Sequence, residues 1–233
     1  GSTFGTHDTD WIRQHIPKEK LIYLMDVSSA RAVINICGPK SREVLQQVSE
    51  NDLSNISFPF GTSQEIIVGS AKVLAIRIGF VGELGWELHI PTEFTQHVYE
   101  LLTKAGENYG IRDVGYRAIE SLRLEKGYLY WSSDITPDYT PLEAGLNFRV
   151  HLKSKGNFIG KKFLKKQKIN GINSKLCTFI SEKKLSLFGG ETILLNRKTV
   201  SLATSGGYGF TVNKTILFGY LDSNILDFVD FEV

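Results

Sequence analysis

The fold of this chain is decided by one glycine-rich stretch, Gly79-Phe-Val-Gly-Glu-Leu-Gly-Trp-Glu-Leu-His-Ile90. The residues before it, 73–78, are mostly apolar and include several β-branched side chains, which is typical of a buried strand. The end of the stretch alternates apolar and polar side chains, which is the period of a second strand. The stretch therefore predicts a hairpin whose connection is rich in glycine.

The hairpin carries two carboxylates, Glu83 and Glu87, beside two aromatic residues, Phe80 and Trp86. A carboxylate can accept two parallel N–H bonds from an amidine-like edge, as it does from arginine. An aromatic ring can cover the face of a flat heterocycle, and glycines let the backbone come close to it. From spacing alone, a tight hairpin with solvated glutamates is nevertheless the favoured interpretation. A phosphate-binding loop is disfavoured, because a strand follows the glycines where that motif requires a helix.

The composition is that of an ordinary soluble globular protein, with 42% apolar and 22% charged residues in a chain of 233. The net charge of +2 gives no overall electrostatic reason to expect a nucleic-acid or a membrane partner. Two cysteines far apart in sequence, Cys37 and Cys177, predict reduced thiols and hence a cytoplasmic protein, with the mitochondrial matrix as the alternative. No apolar run reaches transmembrane length, and the histidine spacing predicts no metal site.

The first half of the chain alternates strands with amphipathic helices. Strands are predicted at residues 21–27 and Arg31–Cys37 and over a hairpin formed by residues 65–68 and 73–80. Capping residues and apolar spacing predict helices over residues 39–49, 93–105 and 114–126. This pattern predicts an α+β fold, in which an α/β domain has its helices packed on a sheet.

The second half changes character after a further predicted strand at residues 148–152. Short strand-like runs follow, separated by turns such as Gly206-Gly207, at residues 175–181, 192–195, 198–203, 208–212 and 216–221. They predict a small C-terminal β-barrel or jelly-roll module. We therefore expect one domain over residues 1–157 and a second over residues 158–233.

Residues 153–168 are dense in lysine, and a helix is predicted over residues 161–168. The favoured interpretation is a solvated helix face. The functional alternative is that these lysines attract an anionic tail on a small ligand.

Three separate motifs, in order along nearly the whole chain, resemble the folate-binding aminomethyltransferase family typified by the glycine cleavage T-protein. They are the opening stretch, Glu120-Ser-Leu-Arg-Leu-Glu-Lys-Gly127, and Asp134-Ile135 with Thr140-Pro-Leu-Glu-Ala-Gly145. The likeness is stronger to the folate-binding half of dimethylglycine and sarcosine dehydrogenases. The residues that carry it are Phe4-Gly-Thr-His-Asp8, Trp11-Ile12, Phe58-Pro-Phe-Gly61, Gly82-Glu-Leu-Gly-Trp-Glu87 and Leu124-Glu-Lys-Gly127.

The resemblance implies tetrahydrofolate as the cofactor and one-carbon transfer as the reaction. In the dehydrogenases, a separate flavin domain oxidises an N-methyl amine, and the resulting imine or formaldehyde equivalent reaches folate to give 5,10-methylenetetrahydrofolate. The resemblance therefore implies a folate and an N-methyl amine or imine donor as small-molecule partners, with a flavin dehydrogenase domain or a second chain as a possible protein partner.

The resemblance also assigns candidate cofactor contacts. Glu87 matches the family's ligand for the N–H edge of the pterin, and Glu83 is expected to support it near the turn. Phe80 and Trp86 are the candidate aromatic contacts, although the dehydrogenase branch usually has tyrosine in place of Phe80. Arg123 is a further candidate, but its position on a helix favours an ion pair that braces the core.

The family's catalytic aspartate lies upstream of the position that matches Gly1, so the catalytic residue is unknown, and we expect a chain truncated at both ends that is itself inactive. Two alternative functions stay open. One is a non-catalytic folate-binding or regulatory module of the same fold, and the other is a folate-dependent demethylase acting on another methyl donor, such as a sulfonium compound. The second alternative predicts 5-methyltetrahydrofolate as the product.

Overall fold

The computed structural model describes residues 2–227 and 230–233. The chain forms two compact units. Unit 1 comprises Gly1–Gly79 and Glu83–Asp113, and unit 2 comprises Phe80–Gly82 and Val114–Val233. The chain thus passes from one unit to the other near residue 113, and the domain boundary expected at residue 157 stays a prediction.

Unit 1 is a four-stranded antiparallel sheet with helices. Its elements are α1 (Gly5–Gln14), β1 (Arg31–Cys37), α2 (Ser41–Gln47), β2 (Ser63–Val68), β3 (Ala71–Ile76), β4 (Gly85–Pro91) and α3 (Thr95–Gly106). The strand order is β1-β4-β3-β2. The hairpin predicted from the opening stretch is confirmed, because β3 pairs antiparallel with β4. The strand predicted at Arg31–Cys37 is confirmed with the same bounds.

One face of this sheet forms the core of unit 1. Alternation along the strands sends every second side chain to that face, where α2 and α3 cover it. The buried apolar residues come from the four strands (Ile36, Ile66, Val68, Ala71, Val73, Ala75, Trp86, Leu88, Ile90), from the two helices (Val44, Leu45, Val98, Leu102) and from the segment between α2 and β2 (Leu53, Phe58). Because each large apolar side chain buried in this way contributes roughly 1.5–3 kcal/mol, this face holds unit 1 together.

Unit 2 is a second four-stranded antiparallel sheet with helices. Its elements are α4 (Tyr116–Lys126), α5 (Lys161–Asn170), β5 (Ser174–Ser181), β6 (Thr192–Leu195), β7 (Lys198–Gly209) and β8 (Lys214–Asp222). The strand order is β5-β8-β7-β6. Among the described residues, β5 and β6 do not pair with each other, so this sheet is not a closed barrel. The α+β class predicted from the sequence is confirmed, with sheets and helices in both units.

The strand predicted at residues 21–27 is wrong. This segment belongs to no helix or sheet in the part of the chain that the structure describes, and its side chains are exposed, with Leu21 at 86% and Tyr23 at 85%. Its apolar composition suits a strand, but a strand exists only where a neighbouring backbone accepts and donates its hydrogen bonds. The composition of a segment indicates whether its side chains suit a strand, but it does not indicate whether a neighbouring strand is present to pair with it.

Two further predictions in unit 2 are wrong. Residues 148–152 do not form a strand, because i→i+3 bonds from Arg149 to Leu146 and from Val150 to Asn147 form a short 3₁₀ turn there. The pair Gly206-Gly207 is not a turn but lies inside β7. The glycines let α4 approach this strand, since a Cβ on Gly207 would lie 2.9 Å from Leu124 Cδ1.

Within the described residues, the structure contains no helix that is both long and apolar enough to cross a membrane. The same part of the chain contains no group of three or more histidine, cysteine, aspartate or glutamate side chains able to hold a metal ion.

Candidate functional site

Glu87 lies on β4, a central strand of the unit 1 sheet. Its cross-strand neighbours are Asn35 on β1 and Ile76 on β3. Directly opposite residues in an antiparallel sheet share a face, so these three side chains form one row across the sheet. The next row on the same face contains Val33, Leu74 and His89. We call these two rows the open sheet face, because they lie opposite the packed core of unit 1.

The carboxylate of Glu87 lies free of protein donors. Its side chain is 29% exposed, and among the described residues no hydrogen bond to a protein group satisfies either oxygen. His89 Nε2 lies 3.7 Å from Glu87 Oε2, which is beyond hydrogen-bond distance. That imidazole nitrogen is itself buried and has no hydrogen-bond partner among the described residues. The Glu87 carboxylate is therefore available to a ligand that brings its own donors.

The surroundings of Glu87 are flat and partly apolar. On the open sheet face Val33 is 54% exposed and Leu74 is 38% exposed, while Ile76 is half-buried. A flat aromatic ring laid on such a surface would bury apolar area while a carboxylate at its edge accepts its N–H groups. A carboxylate acceptor beside an apolar surface fits the pterin ring of a folate, which has N–H donors along one edge.

Trp86 lies on the opposite side of the sheet from Glu87. Its ring is fully buried in the unit 1 core and packs edge to face on Phe58, with ring centroids 6.1 Å apart. The guanidinium groups of Arg42 and Arg77 lie 5.8 and 5.6 Å from its centroid. Adjacent residues on a strand point to opposite faces. Trp86 therefore belongs to the core and does not cover a ligand held by Glu87.

Glu83 is exposed in the connection between β3 and β4. It lies close enough to the Cys37 thiol for its charge to act there. Partial burial raises the pKa of that thiol, and the negative charge of Glu83 raises the pKa further. Cys37 is the last residue of β1 and lies at one end of the open sheet face, which we call its rim. The charge of Glu83 thus affects the thiol at this rim.

Phe80 lies in unit 2, where it packs in an aromatic cluster. Its ring stacks on Tyr128 with centroids 6.2 Å apart, and it also contacts Tyr130 at 6.1 Å. The hydroxyl groups of Tyr130 and Tyr116 share a hydrogen bond of 2.7 Å. Phe80 is half-buried, so part of its ring stays accessible.

Arg123, also in unit 2, is 2% exposed and has every N–H group engaged. Its guanidinium donates to Glu120 Oε2 twice, to Asp134 Oδ2 at 2.6 Å, to the Tyr128 carbonyl and to Ser205 Oγ at 2.7 Å. A guanidinium has five N–H donors, and these bonds use all of them. No donor is left for a ligand, so the ion pair that braces the core is what the structure shows.

Asp134 completes this buried network. It is 0% exposed and accepts bonds from Arg123, from the Tyr130 amide at 2.8 Å and from the Thr204 hydroxyl at 2.6 Å. Glu143, also in the third motif, orders a loop through Thr140. Its carboxylate accepts bonds of 2.8 and 2.9 Å from the amide and hydroxyl of Thr140.

Asn35 and His89 lie beside Glu87 but were not among the site residues predicted from the sequence. His89 is two residues beyond Glu87, so strand alternation alone places it on the same face, and this signal was present in the sequence. Asn35 faces Glu87 only because of the register between β1 and β4, which joins residues more than fifty positions apart. Register of that kind is not legible in a single sequence.

The family of the chain follows from a family model, described as the GCVT N-terminal domain, that matches residues 1–154. The chain belongs to the glycine cleavage T-protein family. A second model of the same family, the glycine cleavage T-protein C-terminal barrel domain, matches residues 175–233. The resemblance expected from the three motifs is thereby confirmed.

Two relatives in this family are much longer than the chain. Sarcosine dehydrogenase, mitochondrial, from Mus musculus is 45% identical over 198 residues, which is 85% of the chain and 22% of the relative. Dimethylglycine dehydrogenase, mitochondrial, from Homo sapiens is 35% identical over 223 residues, which is 95% of the chain and 26% of the relative. The chain thus spans about a quarter of the length of each.

A solved structure shows the same fold. The glycine cleavage system aminomethyltransferase T from Bartonella henselae superposes with a TM-score of 0.79 at 24% identity, covering 95% of the chain and 59% of that structure. The family assignment and the fold agree, and they leave the roles of individual side chains to the geometry described above.

A shallow cavity of about 960 Å³ lies elsewhere on unit 1. Its lining residues come from α2, β2 and α3 and the segments next to them, and they include Gln46, Asn51, Ile67 and Leu101 but not Glu87. The Glu87 site is therefore an open sheet face in this chain and not part of that cavity.

Proposed function

We propose that this chain binds tetrahydrofolate through Glu87 and serves folate-dependent one-carbon transfer. The observation that supports it is the carboxylate of Glu87, which stands on a partly apolar sheet face with no protein donor among the described residues. A partly shielded carboxylate without a partner is costly, and a ligand with paired N–H donors removes that cost. Membership of the glycine cleavage T-protein family supports the same ligand.

Around the bound pterin we propose distinct roles for the neighbouring residues. Glu87 accepts the N–H groups of the amidine edge. Asn35, on the same row of the sheet, supplies an amide for a further polar contact, and Ile76 supplies apolar surface under the ring. Glu83 stays a proposed contact on the strength of the resemblance, whereas Trp86 and Arg123 hold the fold and Phe80 packs with Tyr128 and Tyr130 in unit 2.

Tetrahydrofolate supplies the amine nitrogens that accept a one-carbon unit. The described residues of the open sheet face bind and orient the ligand. We propose that the one-carbon unit comes from an N-methyl amine oxidised in a flavin domain, as the names of the sarcosine and dimethylglycine dehydrogenases suggest. We further propose a mitochondrial location, since both of those relatives are named as mitochondrial and nothing supports the cytoplasmic expectation.

Calorimetric titration with 5-formyltetrahydrofolate, a stable analogue, tests the proposal. We expect binding by the unmodified chain and about 10–100-fold weaker binding by Glu87→Gln, because charge-assisted hydrogen bonds contribute about 1.5–3 kcal/mol. Glu65→Gln is the matched control, since Glu65 lies on β2 opposite Leu74 and so on the same face of the sheet, where it pairs with Lys72 at 2.8 Å. Equal loss in the two variants, or no binding by the unmodified chain, would contradict the proposal.

The two alternative functions are separated by the product. A protein that contains this chain together with the family's catalytic aspartate, supplied with tetrahydrofolate and an oxidised N-methyl amine, yields 5,10-methylenetetrahydrofolate under the main proposal. A demethylase of a sulfonium donor yields 5-methyltetrahydrofolate, and a non-catalytic module binds folate without forming either product.

A further inference from the structure

The strongest charge asymmetry of the chain lies in unit 2, in residues 144–181. Nine of the 27 lysines and arginines fall in this segment, whereas all 25 aspartates and glutamates lie outside it. The overall net charge of +2 conceals this local excess. The net charge of the whole chain therefore does not predict whether this part of its surface binds an anionic partner.

Eight of these nine cationic side chains belong to exposed residues. We call them the basic surface: Arg149, Lys153, Lys155, Lys162, Lys165, Lys166, Lys168 and Lys175. The ninth, Lys161, is buried and donates to the carbonyls of Ser154 and Gly156. Within the described residues, none of the eight makes a salt bridge. Their charges are thus uncompensated by the protein.

The arrangement of lysines on α5 costs helix stability. The first turn of this helix contains Lys161 and Lys162 and no acidic residue, although the helix dipole favours anions there. Lys162 and Lys166 are like charges four residues apart, and Lys165 and Lys168 are three apart, and like charges at these spacings destabilise a helix. Residues that break local rules without a structural gain are expected at functional surfaces.

Large apolar side chains are interspersed with the lysines. Ile159 is 66% exposed, Phe163 is 63% exposed and Ile169 is 84% exposed, and Phe148 is 67% exposed near Arg149. In α5, by contrast, Leu164 is buried and anchors the helix to the rest of unit 2. The outward side of α5 therefore combines cations with apolar groups that no described residue of unit 2 covers.

We propose that the basic surface of unit 2 binds the surface of an anionic lipid bilayer. Lysines attract anionic headgroups, while exposed aromatic and aliphatic side chains enter the boundary between headgroups and acyl chains. The aliphatic residues Ile159 and Ile169 decide between partners, because they gain nothing from phosphates and sugars and have no ring on which a base could stack. A small anionic ligand is a poorer fit, since the cationic side chains are spread over eight exposed positions and the lysine that is turned inward, Lys161, already donates to two carbonyls.

Co-sedimentation with vesicles tests this proposal independently of folate. We expect binding to phosphatidylcholine vesicles that contain phosphatidylglycerol, much weaker binding to phosphatidylcholine alone, and loss of binding as salt is raised. The triple variant Lys162→Gln, Lys165→Gln, Lys166→Gln should bind about a hundredfold more weakly, since each lysine near an anionic surface contributes about a factor of five. Phe163→Ala should also weaken binding, because it removes an apolar group that enters the bilayer.

Matched controls exclude a general effect of charge or hydrophobicity. The triple variant Lys18→Gln, Lys20→Gln, Lys104→Gln removes the same charge from exposed positions in unit 1 and should bind as well as the unmodified chain. Ile56→Ala removes a side chain that is 91% exposed in unit 1 and should have no effect. Circular dichroism melting of each variant confirms that it is folded.

Three results would overturn the proposal. The first is no preference for anionic vesicles, and the second is equal loss of binding in the two triple lysine variants. The third is tight binding to duplex DNA without binding to vesicles, which would assign the surface to nucleic acid.

Discussion

Two carboxylates within the family motifs, Glu87 in unit 1 and Asp134 in unit 2, differ in what satisfies them. Asp134 is 0% exposed, and both of its oxygens accept hydrogen bonds from the protein. Glu87 is 29% exposed at its side chain, and among the described residues neither oxygen accepts such a bond. The family motifs therefore contain carboxylates whose hydrogen bonds stabilise the fold and carboxylates without protein donors, and the hydrogen-bond partners of each residue distinguish the two kinds.

The largest expected effect concerns the satisfied carboxylate. Asp134→Asn removes the fully buried one of the two carboxylates that pair with Arg123, the other being Glu120, and breaking a buried ion pair costs about 3–5 kcal/mol of stability. We expect a loss of that order in the free energy of unfolding measured with urea. Glu87→Gln is the matched comparison and should change the free energy of unfolding by less than about 0.5 kcal/mol, because no hydrogen bond from the described residues is lost and only the 3.7 Å contact with His89 changes. Similar losses in the two variants would break the distinction.

Much of the fold was predictable because local patterns carry it. The strand Arg31–Cys37 and the β3–β4 hairpin follow from the alternation of apolar and polar residues, which depends on nothing distant. The failures lie where distant residues decide. Residues 21–27 have a strand-like composition but pair with no other strand in the described chain. Gly206-Gly207 has the composition of a turn, but Gly207 is a glycine because the Leu124 side chain packs where its Cβ would lie.

The candidate site was predictable only in part, for the same reason. Alternation along β4 places Glu87 and Trp86 on opposite faces, a signal that was present in the sequence but that the prediction of Trp86 as an aromatic contact did not use. The row that joins Glu87 to Asn35 depends on a long-range register. The saturation of Arg123 depends on Asp134 and Ser205, which lie on other parts of unit 2.

A smaller effect sharpens the comparison at the rim of the open sheet face. Burial and the charge of Glu83 raise the pKa of the Cys37 thiol, so less thiolate is present at neutral pH. Glu83→Gln removes the second cause and lowers that pKa, so we expect Cys37 to react with iodoacetamide roughly twofold faster near pH 7.5, where the thiolate is the nucleophile.

Cys177 provides the internal control for this measurement. Burial raises the pKa of its thiol as well, but Glu83 is not among the causes. Peptide mass spectrometry follows both cysteines in the same sample. An equal change at Cys177, or a slower reaction at Cys37 in Glu83→Gln, would contradict the account of the rim.

The central claim, that Glu87 accepts the amidine edge of a pterin, is tested most directly by a double-mutant cycle between protein and ligand. The four affinities are those of the unmodified chain and of Glu87→Gln for 5-formyltetrahydrofolate and for its 2-desamino-2-methyl analogue, which lacks one of the two N–H donors. We predict that removing the ligand's amino group weakens binding to the unmodified chain about tenfold or more and has little effect on Glu87→Gln, a coupling of about 1–2 kcal/mol. Equal weakening in both proteins, which corresponds to no coupling, would contradict the claim.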